Sequence, residues 1–166
     1  MDTEPVVFKD NHGCRRFVGK TAVVTAGTAG IGLAACHRLC SEGARVFLCS
    51  RKAKNVEDAV KELRAKYGPE STYGVPCNVT KPGELENFIE QVIKVFPKVD
   101  LVVSNVGVNP TAGKAMEMTD ANYDKIMEAN VRSHFRLIKL VSPYLTRPGA
   151  SIVMVSLPKW RHVRFG

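Results

Sequence analysis

The chain has 166 residues, 45% of them hydrophobic, and its formal net charge is +8. This length predicts one domain with a substantial core, and no run approaches the roughly 20 apolar residues of a membrane-spanning helix. The basic residues are dispersed except at Arg15-Arg16 and over 159–164. No aromatic platform accompanies them, so we expect a solvated surface and no nucleic-acid partner. Acidic residues soon after Met1 disfavour a targeting peptide, which makes the cytoplasm the expected location.

After a loose extension over 1–18, short apolar runs alternate with amphipathic stretches. Strands are predicted over 21–25, 45–50, 72–76, 100–104 and 151–155, and helices over about 30–42, 55–67, 80–96 and 120–145. This alternation predicts an α/β fold, a doubly wound parallel sheet of the Rossmann type in the order 3-2-1-4-5. We assign 19–156 to this domain and 157–166 to a divergent basic tail.

Helical spacing of apolar residues predicts the buried face of each helix. These faces comprise Ile31, Ala34, Ala35 and Leu39 in the first helix, Val56, Ala59, Val60, Leu63 and Tyr67 in the second, Leu85, Phe88, Ile89, Val92, Ile93 and Phe96 in the third, and Tyr123, Ile126, Met127, Val131 and Phe135 in the fourth. Asn55 is the predicted N-cap of the second helix, and Thr80 or a neighbour caps the third.

The cysteines fit neither a disulfide framework nor a zinc framework. They stand at Cys14, Cys36, Cys40, Cys49 and Cys77. Cys36, His37 and Cys40 lie close on one predicted helix and could contact a metal, but no fourth ligand is evident. Buried reduced thiols are the favoured interpretation, so we expect a reducing compartment and no metal site.

The turn between the first strand and the first helix is rich in small residues. It runs from Thr25 to Gly32 and includes Gly27, Thr28, Gly30 and Ile31. Small residues let backbone N–H groups approach a pyrophosphate, and a helix that begins at Gly30 directs its positive end at the anion. The position inside a β-α-β unit favours dinucleotide binding over an ordinary glycine-rich turn.

The end of the second strand indicates which nucleotide binds. An acidic residue there would bind the ribose 2′-hydroxyl of NAD, but this strand ends Ser50-Arg51-Lys52. An arginine suits a 2′-phosphate through charge-assisted hydrogen bonds, so NADP(H) is the predicted cofactor. The alternative is that Arg51 and Lys52 are solvated charges at a strand end.

Asparagines follow the third and fourth strands on the same edge of the sheet. Asn78-Val79 follows the third strand, and Asn105-Val106-Gly107 follows the fourth. Both segments are candidates for cofactor contacts, because the ligand of this fold lies along that edge. The alternative for each asparagine is an ordinary turn residue.

Asn130 is a polar residue inside the predicted apolar stripe of the last helix. A buried amide needs hydrogen-bond partners. Asn130 therefore either bonds backbone groups as a core amide, which periodicity favours, or holds a catalytic water. His134 lies one turn further on and is interpreted as a helix-face residue rather than a ligand.

Together these motifs resemble the short-chain dehydrogenase/reductase family. The family pattern T-G-x-x-x-G-I-G is similar to Thr25–Gly32, and N-N-A-G is similar to 104–107. The resemblance implies NADP(H)-dependent hydride transfer to a carbonyl substrate, with Asn130 and Ser156 as the matching catalytic positions. The segments 25–26, 49–56 and 105–110 are closest to the family-member-4 branch, whose members are NADPH-dependent carbonyl and retinal reductases, usually tetrameric and often peroxisomal.

The departures from the family pattern concern the chemistry. Asn78 replaces the usual aspartate, Ala26 replaces the first glycine, and Leu157 stands where the substrate-facing serine is expected. No tyrosine in the sequence is followed four residues later by lysine, so the family's proton-transfer pair is missing. From the resemblance we expect an incomplete fold that lacks the last strands and helices, and little or no activity.

Two hypotheses follow from this combination. The chain descends from a carbonyl-reducing oxidoreductase, or it is a non-catalytic NADP(H)-binding module from a truncated transcript or gene model. Such a module could join a homo- or hetero-oligomer through the helix at 120–145. A basic interaction protein that acts through its tail is the least favoured alternative, because Trp160 and its neighbours form no motif.

Overall fold

A computed structural model describes residues 15–110 and 117–156. The strands are β1 (Thr21–Thr25), β2 (Arg45–Ser50), β3 (Thr72–Pro76), β4 (Leu101–Ser104) and β5 (Ser151–Met154). The helices are α1 (Gly30–Ser41), α2 (Ala53–Tyr67), α3 (Pro82–Val95), α4 (Asp120–Met127) and α5 (Ser133–Val141); a π-helical turn (Glu128–Arg132) joins the last two, and a 3₁₀ turn (Ser142–Tyr144) follows α5. Cys14, Leu157 and the basic tail lie outside the described residues.

The five strands form one parallel sheet in the order β3-β2-β1-β4-β5, which confirms the predicted topology. Val23 at the centre of β1 is aligned with Phe47 of β2 and Val102 of β4. Because all strands run in one direction, their carboxyl ends meet at one edge of the sheet. The segments predicted to bind a nucleotide all leave the sheet at this edge.

Helices cover the sheet on both faces and enclose two apolar layers. One layer contains the α3 stripe, which is buried as predicted, together with Leu137 and Val141 of α5. The other layer lies between the sheet and the pair α1 and α2. The buried face of α1 comprises Gly32, Cys36, Leu39 and Cys40. Half of the Ile31 side chain is exposed, so Ile31 lies outside this buried face, and its predicted contact with the cofactor stays a prediction.

The N-cap prediction was wrong for α2 and correct for α3. Helix α2 begins at Ala53 after Lys52, so Asn55 lies inside its first turn. Helix α3 begins at Pro82 after Lys81, which is a neighbour of Thr80 as predicted. Neither cap residue makes a side-chain capping bond. Pro82 sets the start of α3, because a proline at the first helical position has a suitable fixed φ and has no N–H to satisfy.

The predicted helix at 120–145 exists, but its buried face was assigned incorrectly. Tyr123, Met127, Val131 and Phe135 are 55%, 38%, 51% and 65% exposed. The side chains that face the core are Ala129, Ser133, His134, Leu137 and Val141. Periodicity locates an apolar stripe but does not say what covers it, and here the face with the small and polar residues packs against the sheet.

The four described cysteines are buried thiols. Burial raises the pKa of Cys36 and of Cys40, so both are protonated at neutral pH. No group of three or more side chains able to hold a metal occurs within 15–110 and 117–156. Over the same residues, no helix has the length and apolarity needed to cross a bilayer.

Candidate nucleotide-binding site

The turn between β1 and α1 has a backbone shape that depends on small residues. Gly30 has φ +53°, a left-handed conformation in which a side chain is strained. At Gly32 the constraint is space, because an added Cβ would lie 2.2 Å from the Ala26 carbonyl oxygen. The Gly27 N–H donates to the Cys49 carbonyl at 3.0 Å, which ties the turn to the end of β2.

The first turn of α1 presents backbone N–H groups that no side chain caps. Ala29 occupies the N-cap position in extended conformation and offers no capping oxygen. Uncapped N–H groups and the helix dipole favour an anion at this end. The helix begins directly after the carboxyl end of β1, so this position faces the edge where the other candidate segments lie.

Two cations stand at the end of β2 without an internal partner. Arg51 and Lys52 are exposed, and neither forms an ion pair with another described residue. Asn55 is exposed nearby in the first turn of α2. The absence of an acidic residue at this strand end leaves a positively charged surface beside the turn.

A pair of thiols lies under the ends of β2 and β3. The Cys77 N–H donates to the Ser50 carbonyl at 2.8 Å, which aligns the two strand ends. A hydrogen bond between the thiols lowers the pKa of Cys77 and raises that of Cys49. These contacts support the strand ends from the core side.

Asn78 is engaged in a turn. Its side-chain oxygen accepts the Thr80 N–H at 3.2 Å and the Thr80 hydroxyl at 2.9 Å, and its own N–H donates to Glu84 at 2.7 Å. The hydrogen bond from the backbone N–H of Asn78 lowers the pKa of Glu84. These contacts match the turn-residue alternative for the oxygen of Asn78, and Val79 behind it is buried.

The segment after β4 is joined to the turn after β1. The Asn105 N–H donates to the buried Thr25 hydroxyl at 3.0 Å. The Asn105 side-chain nitrogen lies 2.7 Å from where a Cβ on Gly32 would be placed. Asn105 therefore lies directly beside the turn between β1 and α1, the candidate phosphate turn (residues 25–32), as expected for the carboxyl edge of adjacent strands. Gly107 follows on the exposed side, with open space around its Cα.

Asn130 lies in the π-helical turn and holds the backbone of Val108. Its side-chain oxygen accepts the Val108 N–H at 2.8 Å, and its side-chain nitrogen donates to the Val108 carbonyl at 2.9 Å. Both polar groups of the amide are thereby used on one residue of the loop after β4. This is the bonded amide that periodicity favoured, and the predicted catalytic role of Asn130 stays a prediction.

His134 is a site-supporting residue that sequence analysis missed. The Ser104 hydroxyl lies 2.5 Å from its Nδ1, and both residues are buried. Burial lowers the pKa of His134, while a hydrogen bond to the Val106 backbone raises it, and the net shift is downward. Its position four residues after Asn130 was the one available signal, but that spacing alone does not reveal a contact with β4.

Ser156 follows β5 at the same edge of the sheet. The Val155 N–H donates to the Ser104 carbonyl at 2.9 Å, so the end of β5 lies beside the end of β4. Ser156 itself is exposed. The structure thus brings the candidate positions on all five strand ends to one edge.

A parallel sheet of this order, with a glycine turn opening its first helix, is a Rossmann-type fold. The model of the short chain dehydrogenase family matches residues 20–158. The chain belongs to this family, as its motifs predicted, and the family binds a nicotinamide cofactor.

Similar proteins support this assignment. Tropinone reductase-like 3 of Erythroxylum coca is 43% identical over 142 residues, which cover 86% of this chain and 54% of that protein. Dehydrogenase/reductase SDR family member 4 of Caenorhabditis elegans is 38% identical, with 85% and 54% covered. The structure of L-sorbose reductase from Gluconobacter frateurii complexed with NADPH and L-sorbose has a TM-score of 0.77 at 29% identity, with 83% and 52% covered. The chain spans about half the length of the relatives it matches.

Proposed function

We propose that this chain binds NADP(H) along the carboxyl edge of its sheet. The observation that carries the proposal is Arg51, an exposed guanidinium at the end of β2 with no ion-pair partner among the described residues. A 2′-phosphate would satisfy this group, whereas the 2′-hydroxyl of NAD would lack the carboxylate that usually binds it. The uncapped turn at α1 supports the pyrophosphate, because its backbone donors lie beside Gly32 without an obstructing side chain.

We further propose that the chain descends from carbonyl-reducing oxidoreductases and that these 166 residues by themselves do not reduce a carbonyl at the rate of such enzymes. A bound nicotinamide supplies a hydride. The residues of this chain would bind and orient the nucleotide, but no tyrosine in the sequence precedes a lysine by four positions to supply the proton. Asn130 contributes by fixing the loop after β4 through Val108. The cytoplasm, a reducing compartment, suits its buried thiols.

The cofactor proposal is tested by titration with NADPH and NADH, following fluorescence of the nicotinamide. Arg51→Ala is expected to weaken NADPH binding about tenfold to 100-fold, since a charge-assisted hydrogen bond contributes about 1.5–3 kcal/mol. NADH binding should change by less than about twofold, because NADH has no 2′-phosphate. Lys94→Ala is the matched control, an exposed cation in the last turn of α3. An equal loss of affinity for NADPH and for NADH in Arg51→Ala would contradict the proposal.

We also propose that the exposed face of α4 and α5 joins a second copy of the chain. Its apolar side chains are Tyr123, Met127, Val131 and Phe135, at a four-residue spacing along one face. The helix carries Asp120, Asp124 and Lys125 at its start and Lys139 towards its end, while Arg132 and Arg136 pair with Glu128 of the same chain. An antiparallel pair of these helices brings the aspartates of one copy towards Lys139 of the other and pairs Tyr123 with Phe135, which favours a two-fold homodimer.

Light scattering of the purified chain tests this interface. Phe135→Glu is expected to convert a dimer to a monomer, because it places a charge in each of the two Tyr123–Phe135 contacts. Val18→Glu is the control, since Val18 is equally an exposed apolar residue but lies outside this helix. A wild-type chain that is monomeric at tens of micromolar would contradict the dimer.

A further inference from the structure

The loop after β4 is held from one helix face by two side chains. Asn130 bonds both backbone groups of Val108, and His134, four residues on, bonds the Ser104 side chain. Residues four apart lie on the same helix face, one turn above the other. The segment from Ser104 to Val108 is therefore attached at both of its ends to the π-helical turn and α5.

The Ser104–His134 contact is closed to solvent. Ser104 is 1% exposed and His134 is 6% exposed, and 2.5 Å separates the hydroxyl oxygen from Nδ1. A buried hydroxyl that loses its hydrogen-bond partner destabilises the fold. The Ser104 hydroxyl therefore needs the His134 imidazole as its partner. The side-chain contact with Ser104 also attaches α5 to the carboxyl end of β4.

Asn105 directly follows Ser104, whose side chain His134 contacts. Its N–H is bonded to Thr25, and its side-chain nitrogen lies beside Gly32 in the phosphate turn. A shift of Ser104 or Val106 moves Asn105 against the turn, because the three residues are consecutive. The imidazole thus sets where Asn105 stands relative to the nucleotide site, although it does not face that site itself.

We propose that His134 is a positioning residue for nucleotide binding, which acts by fixing Ser104, and through it Asn105, at the carboxyl end of β4. This inference rests on the proposed NADP(H) binding. It assigns to His134 a role in ligand affinity rather than one confined to core packing.

The experiment compares His134→Leu with His134→Asn. Leucine fills the space but makes no hydrogen bond, whereas the asparagine amide reaches the position of Nδ1 and can bond the Ser104 hydroxyl. NADPH affinity is expected to fall about tenfold in His134→Leu and to stay within about threefold of wild type in His134→Asn. Ser104→Ala should weaken binding as His134→Leu does, and the double variant should be no weaker than either, because the two groups form one interaction.

Hydrogen exchange supplies a readout that distinguishes positioning from general packing. The amides of Asn105 and Val108 are expected to exchange faster in His134→Leu than in His134→Asn, while the amides of β1 keep wild-type protection. His37→Asn is the matched control, since His37 bonds Tyr67 and Glu62 away from this loop. If His134→Leu does not fold, Ser104→Ala against His134→Asn carries the same comparison.

The outcomes separate this inference from the proposal beneath it. Failure of the wild-type chain to bind NADPH contradicts NADP(H) binding and this inference together. Wild-type binding with unchanged affinity and unchanged loop exchange in His134→Leu overturns the positioning role alone. Equal losses in His134→Leu and His134→Asn also overturn it, because the hydrogen bond would then not matter.

Discussion

Gly32→Ala is the substitution that probes the phosphate turn most directly. The new Cβ would lie 2.2 Å from the Ala26 carbonyl oxygen and 2.7 Å from the Asn105 side-chain nitrogen. Ordinary contacts begin near 3.4 Å, so the turn and α1 must separate by about 1 Å. Ala26 cannot move freely, because it already has φ +51° and is followed by the Gly27 bond to β2.

The expected result of Gly32→Ala is a loss of both affinity and stability. Overpacking of a tight contact costs about 1–3 kcal/mol of unfolding free energy. A displacement of about 1 Å in a binding constellation reduces function by about 100-fold. NADPH titration and thermal unfolding measure the two effects separately, and both nucleotides should be affected, since NADPH and NADH share the pyrophosphate.

Gly83→Ala is the matched control for Gly32→Ala. Gly83 lies in the first turn of α3, where an added Cβ meets nothing within 4 Å. Alanine there is expected to raise stability by about 0.5–1 kcal/mol, because it lowers the entropy of the unfolded chain. If Gly32→Ala bound NADPH like the wild type and unfolded at the same temperature, the steric basis of the turn would be refuted.

Two further predictions concern pH. The Arg16 guanidinium, with Arg38, holds the pKa of buried Glu42 at about 2 against an ordinary value near 4.5. The stabilisation by this carboxylate is complete above about pH 4.5 and is lost as the pH falls towards 2. The free energy of unfolding in urea should therefore fall less steeply over that pH range in Glu42→Gln than in the wild type. Burial lowers the pKa of His134 below 6.5, so unfolding takes up a proton below that pH. Wild-type stability should fall from pH 7 to 5 more steeply than that of His134→Asn; parallel declines would contradict the assignment.

The sheet and the tight glycine turn after β1 could be predicted from the sequence because their signals are local. Apolar runs and helical stripes alternate along the chain, and right-handed crossovers together with the glycine turn after the first strand favour the Rossmann order. Gly30 and Gly32 stand directly between a strand and a helix, so their use needs no knowledge of distant residues. The buried face of α3 could also be predicted, since Phe88 and Val92 lie on one strongly apolar face of this helix and both are buried.

The face of the last helix was misassigned because burial depends on neighbours. Val131 and Phe135 form a regular stripe, yet the sheet is contacted by the opposite side, which carries Ser133 and His134. The π-helical turn adds a change of register between α4 and α5 that no propensity scale foresees. The role of His134 could be recognised only from the fold, because the fold places Ser104 beside it.

The contacts of the site argue for one connected support rather than separate binding loops. Thr25 joins the end of β1 to Asn105, and Gly32 makes room for that side chain against α1. Asn130 and His134 then fix the same loop from the opposite side. Each of these contacts begins on a strand or a helix. A displacement of His134 therefore reaches the phosphate turn through only two intervening residues, Ser104 and Asn105. We accordingly expect nucleotide affinity to depend on how firmly the end of β4 is held.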